Sequence, residues 1–302
     1  MRRLSACRDC DEAQSSRTMP IDYDQLMAAR AVDQPFEYDE ARAILYALGI
    51  GFGADPTNPK ELPYVYEGAA LRTVPSMATM LASIDFLDDC GWNYDRLLHG
   101  EERLELYRPL PPAARLLANS RVTAAYDRGT DKGAVILVQT DVRLAKDDTA
   151  LFTLGSTLLA RADGGFGGPK APTLPAHRLP RREPDLVCEL PTRRDQALLF
   201  RLSGDFSPLH ADPKLAKRLG FSAPILHGRC TYGIACRAIL QTICDYDFTL
   251  ITGFDARFSA PVLPGDTLAT HMWQDGNIVS FRCVAKARNS VVINHGKCTL
   301  AT

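Results

Sequence analysis

The same order of secondary structure is repeated along this chain, and the repetition restricts the folds that it can adopt. Val74 to Phe86 has apolar residues at helical spacing, and four alternating segments that predict strands follow it. Gly228 to Cys244 again predicts a helix, and four more strand segments come after it. One helix followed by consecutive antiparallel strands, present twice, predicts an α+β chain built from two similar domains.

The predicted strands alternate apolar and polar residues between turn signals. In the first half they cover residues 104–110, 121–126, 134–142 and 149–160, and in the second half residues 253–259, 267–273, 278–287 and 291–299. Before them, Asp39 to Leu48 predicts a further helix and Tyr64 to Glu67 a short strand. Two such domains lying side by side would continue one sheet and so cover an edge strand of each.

Composition divides the chain into four parts. Residues 1–18 are polar and aperiodic, without the apolar core of a secretory signal, and predict a disordered extension. Residues 161–185 are rich in glycine, proline and arginine and predict a linker. The first domain is therefore expected over residues 19–160 and the second over residues 186–302.

The overall charge and the cysteines limit the partners and the compartment. Lysine and arginine total 35 against 36 acidic residues, a balance that favours neither nucleic acid nor an anionic membrane as partner. No stretch is apolar for long enough to cross a bilayer. Several cysteines lie within apolar runs, as is typical of a reducing compartment. The final Leu300-Ala301-Thr302 is not the peroxisomal S-K-L address, so a cytoplasmic location is expected.

One short segment carries the groups that could move protons. Asp205, Ser207 and His210 bring an acid, a hydroxyl and an imidazole within six residues. Gly204 permits a sharp turn before them, and Ser207-Pro208 is a favourable cap and first-turn pair. Asp205 and His210 would then flank a tight turn, where an acid and a base held on one water can exchange protons with it.

His227 and Gly228 open the predicted helix of the second half. Backbone N–H groups at a helix start lack intrahelical partners, and the helix dipole favours negative charge there. Because Gly228 has no side chain, an oxygen can approach its amide closely. We expect this amide to stabilise an oxygen that gains negative charge during a reaction.

The two segments resemble the hydratase 2 motif of the MaoC-like (R)-specific enoyl-CoA hydratases. The family pattern S-G-D-x-N-P-L-H corresponds to residues 203–210, and I-L-H-G-x-C-T-x-G corresponds to residues 225–233. Ser207 replaces the usual asparagine, and the charged Arg229 follows Gly228 where an apolar residue is expected. The resemblance covers about the whole chain from Met19 onward and is to the two-domain, eukaryotic-type form of the family.

The resemblance implies a double hot-dog fold, in which each of two repeats wraps an antiparallel sheet around a long central helix. It implies a hydro-lyase of fatty acid β-oxidation that hydrates trans-2-enoyl-CoA reversibly to (R)-3-hydroxyacyl-CoA, with no cofactor besides the CoA of the substrate. Asp205 and His210 could also pass for a metal-binding pair, but the sequence shows no third ligand at a suitable spacing, so no metal is expected. Asp205 and His210 would activate the water, and the Gly228 amide would form the oxyanion hole. Ser207 would help to hold the water or the pair.

Five residues are candidates for substrate binding: His227, Arg229, Gly165, Phe166 and Gly167. His227 is either a contact for the substrate or a residue that positions the helix start. Arg229 is either a solvated residue or a contact for a CoA phosphate. The other three lie in a G-G-F-G-G element that resembles one in the family and that is either a ligand loop or a flexible hinge.

Two other functions fit the same sequence. Hot-dog folds also host acyl-CoA thioesterases, and the departures at Ser207 and Arg229 would equally suit a non-catalytic acyl-CoA-binding protein. We further expect the first half to be catalytically silent and to house a long or bulky acyl tail beside Ala78 and Ala82. The expected partner is an acyl-CoA thioester, and a homodimer is compatible with the fold.

Overall fold

The computed structural model describes residues 21–68, 70–81, 84–91, 96–172 and 176–302. The predicted extension over residues 1–18 and Ala82 lie outside these ranges. The first half below means the described residues up to 160, and the second half means residues from 186 onward. No helix of the described ranges is long and apolar enough to cross a membrane.

Ten strands of the described residues form one antiparallel sheet. They are β1 Arg30–Tyr38, β2 Leu97–Leu106, β3 Ala114–Asp127, β4 Ala134–Leu144, β5 Ala150–Ala160, β6 Leu186–Pro191, β7 Ile251–Phe258, β8 Thr267–Asp275, β9 Ile278–Ala285 and β10 Ser290–Leu300. Their order across the sheet is β1-β3-β4-β5-β2-β7-β10-β9-β8-β6.

The order of strands confirms the predicted duplication. From the outer edge inward, the first half runs β1-β3-β4-β5-β2 and the second half runs β6-β8-β9-β10-β7, so each strand of one half has a counterpart in the other. The halves meet where β2 pairs with β7, from Glu101 opposite Arg257 to Glu105 opposite Gly253. The two repeats therefore share one continuous sheet, and the fold is the expected double hot-dog.

The helices lie between the strands in both halves. The α-helices are α1 Tyr23–Ala28, α2 Glu40–Gly49, α3 Leu62–Val65, α4 Gln196–Phe200, α5 Pro213–Arg218 and α6 Gly228–Thr242. The 3₁₀ helices are Pro75–Met80, Asp85–Cys90, Arg201–Ser203, Pro208–His210, Phe248–Leu250 and Lys286–Arg288. Helix α6 is the central helix of the second half, and every residue from Cys230 to Leu240 is buried.

The first half differs from the sequence prediction in its helical segment. The regular helix expected from Val74 to Phe86 is wrong, because a 3₁₀ helix ends at Met80 and another begins at Asp85. Hydroxyl groups hold the first of these turns: Thr79 Oγ1 donates to the Ser76 carbonyl (2.9 Å), and the Tyr46 hydroxyl donates to Ser76 Oγ (2.9 Å). Such side-chain bonds compete with regular helical bonding.

Three other elements differ from the prediction. The expected strand Tyr64–Glu67 is wrong, because Pro63 supplies the first turn of the short helix α3 there. Strands β1 and β6 were not predicted at all. They form the two outer edges of the sheet and are largely exposed. β1 lacks the apolar alternation that identifies a half-buried strand, whereas β6 is short and buries only Cys188 and Leu190.

Helix α6 packs closely against the first half through Gly233. A Cβ atom at this position would lie 2.5 Å from Cγ2 of Ile50 and 2.8 Å from the hydroxyl of Tyr46. Ile50 and Tyr46 are buried in the core that spans both halves. The backbone of α6 therefore approaches helix α2 at a distance that leaves no room for a side chain.

We predict that Gly233→Ala lowers the free energy of unfolding by about 1–3 kcal/mol, the usual effect of overpacking a core. Urea denaturation followed by circular dichroism would measure it. Gly155→Ala is the matched control, because a Cβ there would meet Arg103 at Cβ (3.7 Å) and at the carbonyl oxygen (3.9 Å), both ordinary contacts. Equal stability of the two variants would contradict the packing argument.

Candidate active site

The turn that carries Asp205 is built by its backbone. Gly204 has φ of 123°, a conformation that favours glycine, and the chain then enters the 3₁₀ helix Pro208–His210. The Ser207 N–H donates to Asp205 Oδ1 (3.2 Å), but the Ser207 side chain does not cap the helix, contrary to the sequence prediction. Asp212 does act as a cap, since its Oδ1 accepts from the N–H of Lys214.

His210 presents one ring nitrogen as a proton acceptor. Its Nδ1 lies 2.8 Å from the Ile225 carbonyl oxygen, which can only accept, so Nδ1 carries the hydrogen. Burial lowers the pKa of His210 below its usual value, and the bond to Ile225 and the charge of Asp205 offset this only in part. The ring is therefore neutral near pH 7, with a free lone pair on Nε2.

His227 lies directly against this pair. Its ring stacks on that of His210 with 3.7 Å between ring centroids, and its Nε2 donates to the Asp205 carbonyl (3.2 Å). The side chain is fully buried, and Nδ1 has no hydrogen-bond partner among the described residues. Burial, and then the neighbouring His210, lower the pKa of His227 to about 3. His227 thus links the turn of Asp205 to the start of α6 as a neutral ring.

Asp205 remains ionised in these surroundings. Burial alone would raise its pKa, but His227 and His210, which become cationic only at low pH, and Arg229 together hold it below the usual value. Ligand-type atoms of Asp205, His210 and His227 lie within 4.8 Å of one another, so the structure adds a third group that the sequence spacing did not indicate.

The start of α6 offers backbone donors. His227 precedes the helix without making a side-chain cap, so the first amides are not covered by it. A Cβ atom on Gly228 would lie 3.5 Å from the ring of Phe258, which is an ordinary contact. The glycine is therefore not required by packing within the protein, and both Gly228 and Phe258 line the cavity described next.

A cavity of about 480 Å³ connects these groups to both halves of the chain. From the second half it is lined by Asp205, Ser207, His210, Gly228 and Phe258, together with apolar residues such as Leu209, Ile225 and Leu226. From the first half it is lined by Ile84, Leu97, Leu98, His99 and Leu159, and Arg161 lines it from the start of the segment between the halves. A neutral imidazole, a carboxylate and a helix start thus share one partly apolar cavity between the two repeats.

Comparison with known proteins agrees with this geometry. Residues 36–162 match the MFE-2 hydratase 2 N-terminal domain and residues 176–296 match the MaoC-like domain. The chain is 37% identical to the enoyl-CoA hydratase ChsH3 of Mycobacterium tuberculosis, over 92% of this chain and 98% of the relative. It is also 37% identical to the peroxisomal enoyl-CoA hydratase 2 of Arabidopsis thaliana, over 89% and 93%.

The chain belongs to the MaoC-like enoyl-CoA hydratase 2 family. A solved structure supports the same assignment: the MaoC-like dehydratase of Phytophthora capsici superimposes with a TM-score of 0.81 at 29% identity, over 93% of this chain and 98% of the other. The two family models also fall on either side of residues 163–175, within the linker expected from the sequence.

Arg229, which departs from the hydratase 2 motif, is largely buried. The interpretation of Arg229 as a solvated residue is therefore wrong. Its side chain is only 11% exposed, and its Nε donates to Oε1 of Glu102 (3.1 Å). Glu102 lies on β2 of the first half and is fully buried. It also accepts from Ser156 Oγ (2.6 Å), and His99 Nδ1 lies 3.0 Å from its Oε1.

The glycine-rich element lies away from the cavity lining. The N–H groups of Gly165 and Gly167 donate to the two carboxylate oxygens of Asp127 (2.8 Å each), and Phe166 stacks on Tyr23. These contacts join the element to the end of β3 and to α1. The structure brings none of the three predicted substrate-binding residues into contact with the cavity around Asp205.

Ala78 is likewise not a cavity residue. It is fully buried in the core, as are all its neighbours from Val74 to Leu81, so no space for an acyl tail exists beside it. The expectation that small residues of this segment leave room for substrate is therefore wrong for Ala78. The first half reaches the cavity through Leu97 and Leu98 of β2 instead.

Two polar residues near the cavity, His99 and Glu102, were not predicted from the sequence. Both precede Leu104, where the predicted strand was begun, whereas β2 begins at Leu97. Strand alternation was the available signal. Glu102 shares the register of the buried Leu104 and Leu106, so a longer strand would have placed its carboxylate in the interior.

The pKa of His227 leads to a prediction about stability. Because this pKa is about 3 in the folded protein and about 6.5 in an unfolded chain, only the unfolded state gains a proton as the pH falls below 6.5. His227→Gln keeps a donor for the Asp205 carbonyl but cannot titrate. Wild type should therefore lose stability as the pH falls from 7.5 to 5. The free energy of unfolding of the variant should fall by about 1–2 kcal/mol less over the same range. Urea unfolding at both values tests this, and a difference independent of pH would contradict it.

Proposed function

We propose that this protein is an enoyl-CoA hydratase 2 that hydrates trans-2-enoyl-CoA reversibly to (R)-3-hydroxyacyl-CoA. The observation that carries the proposal is the ionised Asp205 and the neutral His210 in one cavity with the uncovered start of α6. Two proton acceptors and a set of amide donors are the groups that hydration of an α,β-unsaturated thioester requires.

In the proposed reaction one water lies between Asp205 and His210 Nε2. Both groups can accept from it, and they orient its oxygen toward C3 of the substrate. As the C3–O bond forms, the pair takes one proton from the water and the electrons of the double bond move toward the thioester. The same pair then returns a proton to C2. Ser207 supports the site through its N–H, which donates to Asp205.

The thioester oxygen gains enolate charge during this step. We place it against the amide of Gly228, where the helix start supplies an unpaired donor and the positive end of the helix dipole. A preorganised donor of this kind typically contributes about 100- to 1,000-fold in rate. His227 acts here as a positioning residue. It is the residue that precedes the helix, and its ring donates to the backbone carbonyl of Asp205.

Domain roles follow from the same arrangement. The catalytic groups come from the second domain, residues 186–302, and the first domain, residues 19–160, supplies an apolar wall for the acyl chain. The CoA of the substrate is the only carrier that this chemistry needs. The relative from Arabidopsis thaliana has a peroxisomal name and the one from Mycobacterium tuberculosis is bacterial, and this chain is 37% identical to each.

The decisive experiment follows the absorbance of the enoyl thioester band of crotonyl-CoA and of trans-2-decenoyl-CoA with purified protein. Loss of the band, with (R)-3-hydroxyacyl-CoA as the product on chiral analysis, is the expected result. A thiol reagent in a parallel reaction reports free CoA. Release of thiol without loss of the enoyl band would indicate a thioesterase, and binding without either change would indicate an acyl-CoA-binding protein.

We predict that Asp205→Asn and His210→Ala each lower kcat by about 100-fold or more, the usual scale for general acid–base groups. Because the two residues act on one water, the double variant should lose much less than the product of the single losses. Steady-state kinetics of crotonyl-CoA hydration measures all three. More than about a tenth of wild-type activity in either single variant would remove that residue from the mechanism.

Gly228→Ala separates catalysis from folding. The added Cβ meets the protein only at ordinary contact distance, so the unfolding temperature should stay close to that of wild type. It occupies the space in front of the amide, however, so kcat/KM should fall by about 100-fold or more. Full activity in a stable variant would show that the thioester oxygen binds elsewhere.

A further inference from the structure

In the ion pair between Arg229 and Glu102, one residue lines the cavity and the other lies in the protein interior. Arg229 lines the cavity, whereas Glu102 is fully buried and is not part of the lining. Burial alone would raise the pKa of Glu102, but its partners lower it to about 2, so the carboxylate is ionised. A substrate in the cavity therefore meets the guanidinium first, with the carboxylate behind it.

The guanidinium retains unused donors. Only Nε bonds to Glu102, and the two terminal amino groups make no hydrogen bond to any described residue. An arginine has five N–H donors in a fixed plane, so four remain for a ligand or for water. The Arg229 side chain is only 11% exposed. An alkyl chain placed against the guanidinium would displace the water that can reach it and would leave these donors unpaired.

The position of Arg229 identifies the part of the substrate that it meets. Its partner Glu102 lies on β2, the strand that supplies Leu97, Leu98 and His99 to the first-half wall of the cavity. A CoA phosphate is strongly hydrated and suits an open mouth, not a wall that is nearly closed to solvent. The acyl group beyond the double bond is the part of the substrate that fits between the catalytic turn and β2.

We propose that Arg229 is a specificity-determining residue that selects 2-enoyl thioesters whose acyl group carries an oxygen acceptor, foremost a carboxylate, a few carbons beyond the double bond. The inference rests on the proposed function and names its substrate class. A carboxylate accepts two parallel bonds from a guanidinium, so it satisfies the free donors that an alkyl group would bury. Glu102 holds the guanidinium in place from the opposite side.

The test compares substrates that differ only in this group. In wild type, kcat/KM for trans-2-hexenedioyl-CoA should exceed that for trans-2-hexenoyl-CoA by about tenfold or more, because unpaired buried donors carry at least that cost. The variant R229L/E102Q removes both charges and should reverse the order. R229Q/E102Q, which keeps polar side chains at both positions, is the second variant if the first does not fold, and it should lose the preference for the carboxylate.

A neighbouring ion pair provides the matched control. Arg257 Nε donates to Glu101 Oε1 (2.6 Å), and this pair also joins β2 to the second half, but neither residue lines the cavity. R257L/E101Q should therefore keep the wild-type ratio between the two substrates. If the control changes the ratio as much as R229L/E102Q does, the effect arises from the junction of the halves, and the selectivity of Arg229 is refuted.

Calorimetry with the saturated thioesters makes the inference independent of turnover. Adipoyl-CoA should bind wild type more tightly than hexanoyl-CoA by about tenfold, and R229L/E102Q should abolish the difference. Tighter binding without hydration of either enoyl-CoA would overturn the proposed function and support the selectivity. Hydration of both substrates with equal kcat/KM and equal binding would overturn the selectivity and support the function.

Discussion

The pairing of β2 with β7 is the contact on which the cavity depends. It fixes the register of the two repeats, with Glu101 opposite Arg257, and makes one sheet from two halves. Beyond this pairing β2 continues back to Leu98, and β7 continues to Phe258. Both side chains line the cavity, so a backbone ladder fixes the separation of these two parts of its wall.

Burial acts on the ionisable groups of the site in opposite directions. It lowers the pKa values of His210 and His227, which have no close anion sufficient to offset it, and both rings are neutral. It would raise the pKa values of Asp205 and Glu102, but each has enough cationic or hydrogen-bonding neighbours to remain ionised. The result is an ionised carboxylate and a neutral imidazole in one cavity, two groups that can each accept a proton and release it again.

The sequence predicted the features that depend on local order. Repeated helix and strand signals gave the duplication, and the spacing of Asp205, His210 and Gly228 placed them correctly in one region. Prediction was poorest for the elements whose conformation depends on tertiary contacts. Edge strand β1 has no apolar alternation, and edge strand β6 buries only Cys188 and Leu190. The segment after Val74 is a 3₁₀ helix whose Ser76 accepts a hydrogen bond from the distant Tyr46. The partner of Arg229 lies 127 residues away on another repeat, a separation that no motif encodes.

The two repeats share a topology but differ at the first residue of the central segment. In the second half that residue is Gly228, which has an N–H and an open cavity before it. In the first half it is Pro75, which has no N–H and is buried. The first repeat therefore cannot provide an oxyanion site at its helix start. It contributes strand residues instead, so duplication of one fold produces two unlike walls of the cavity: a helix start with backbone donors and a strand with the apolar side chains of Leu97 and Leu98.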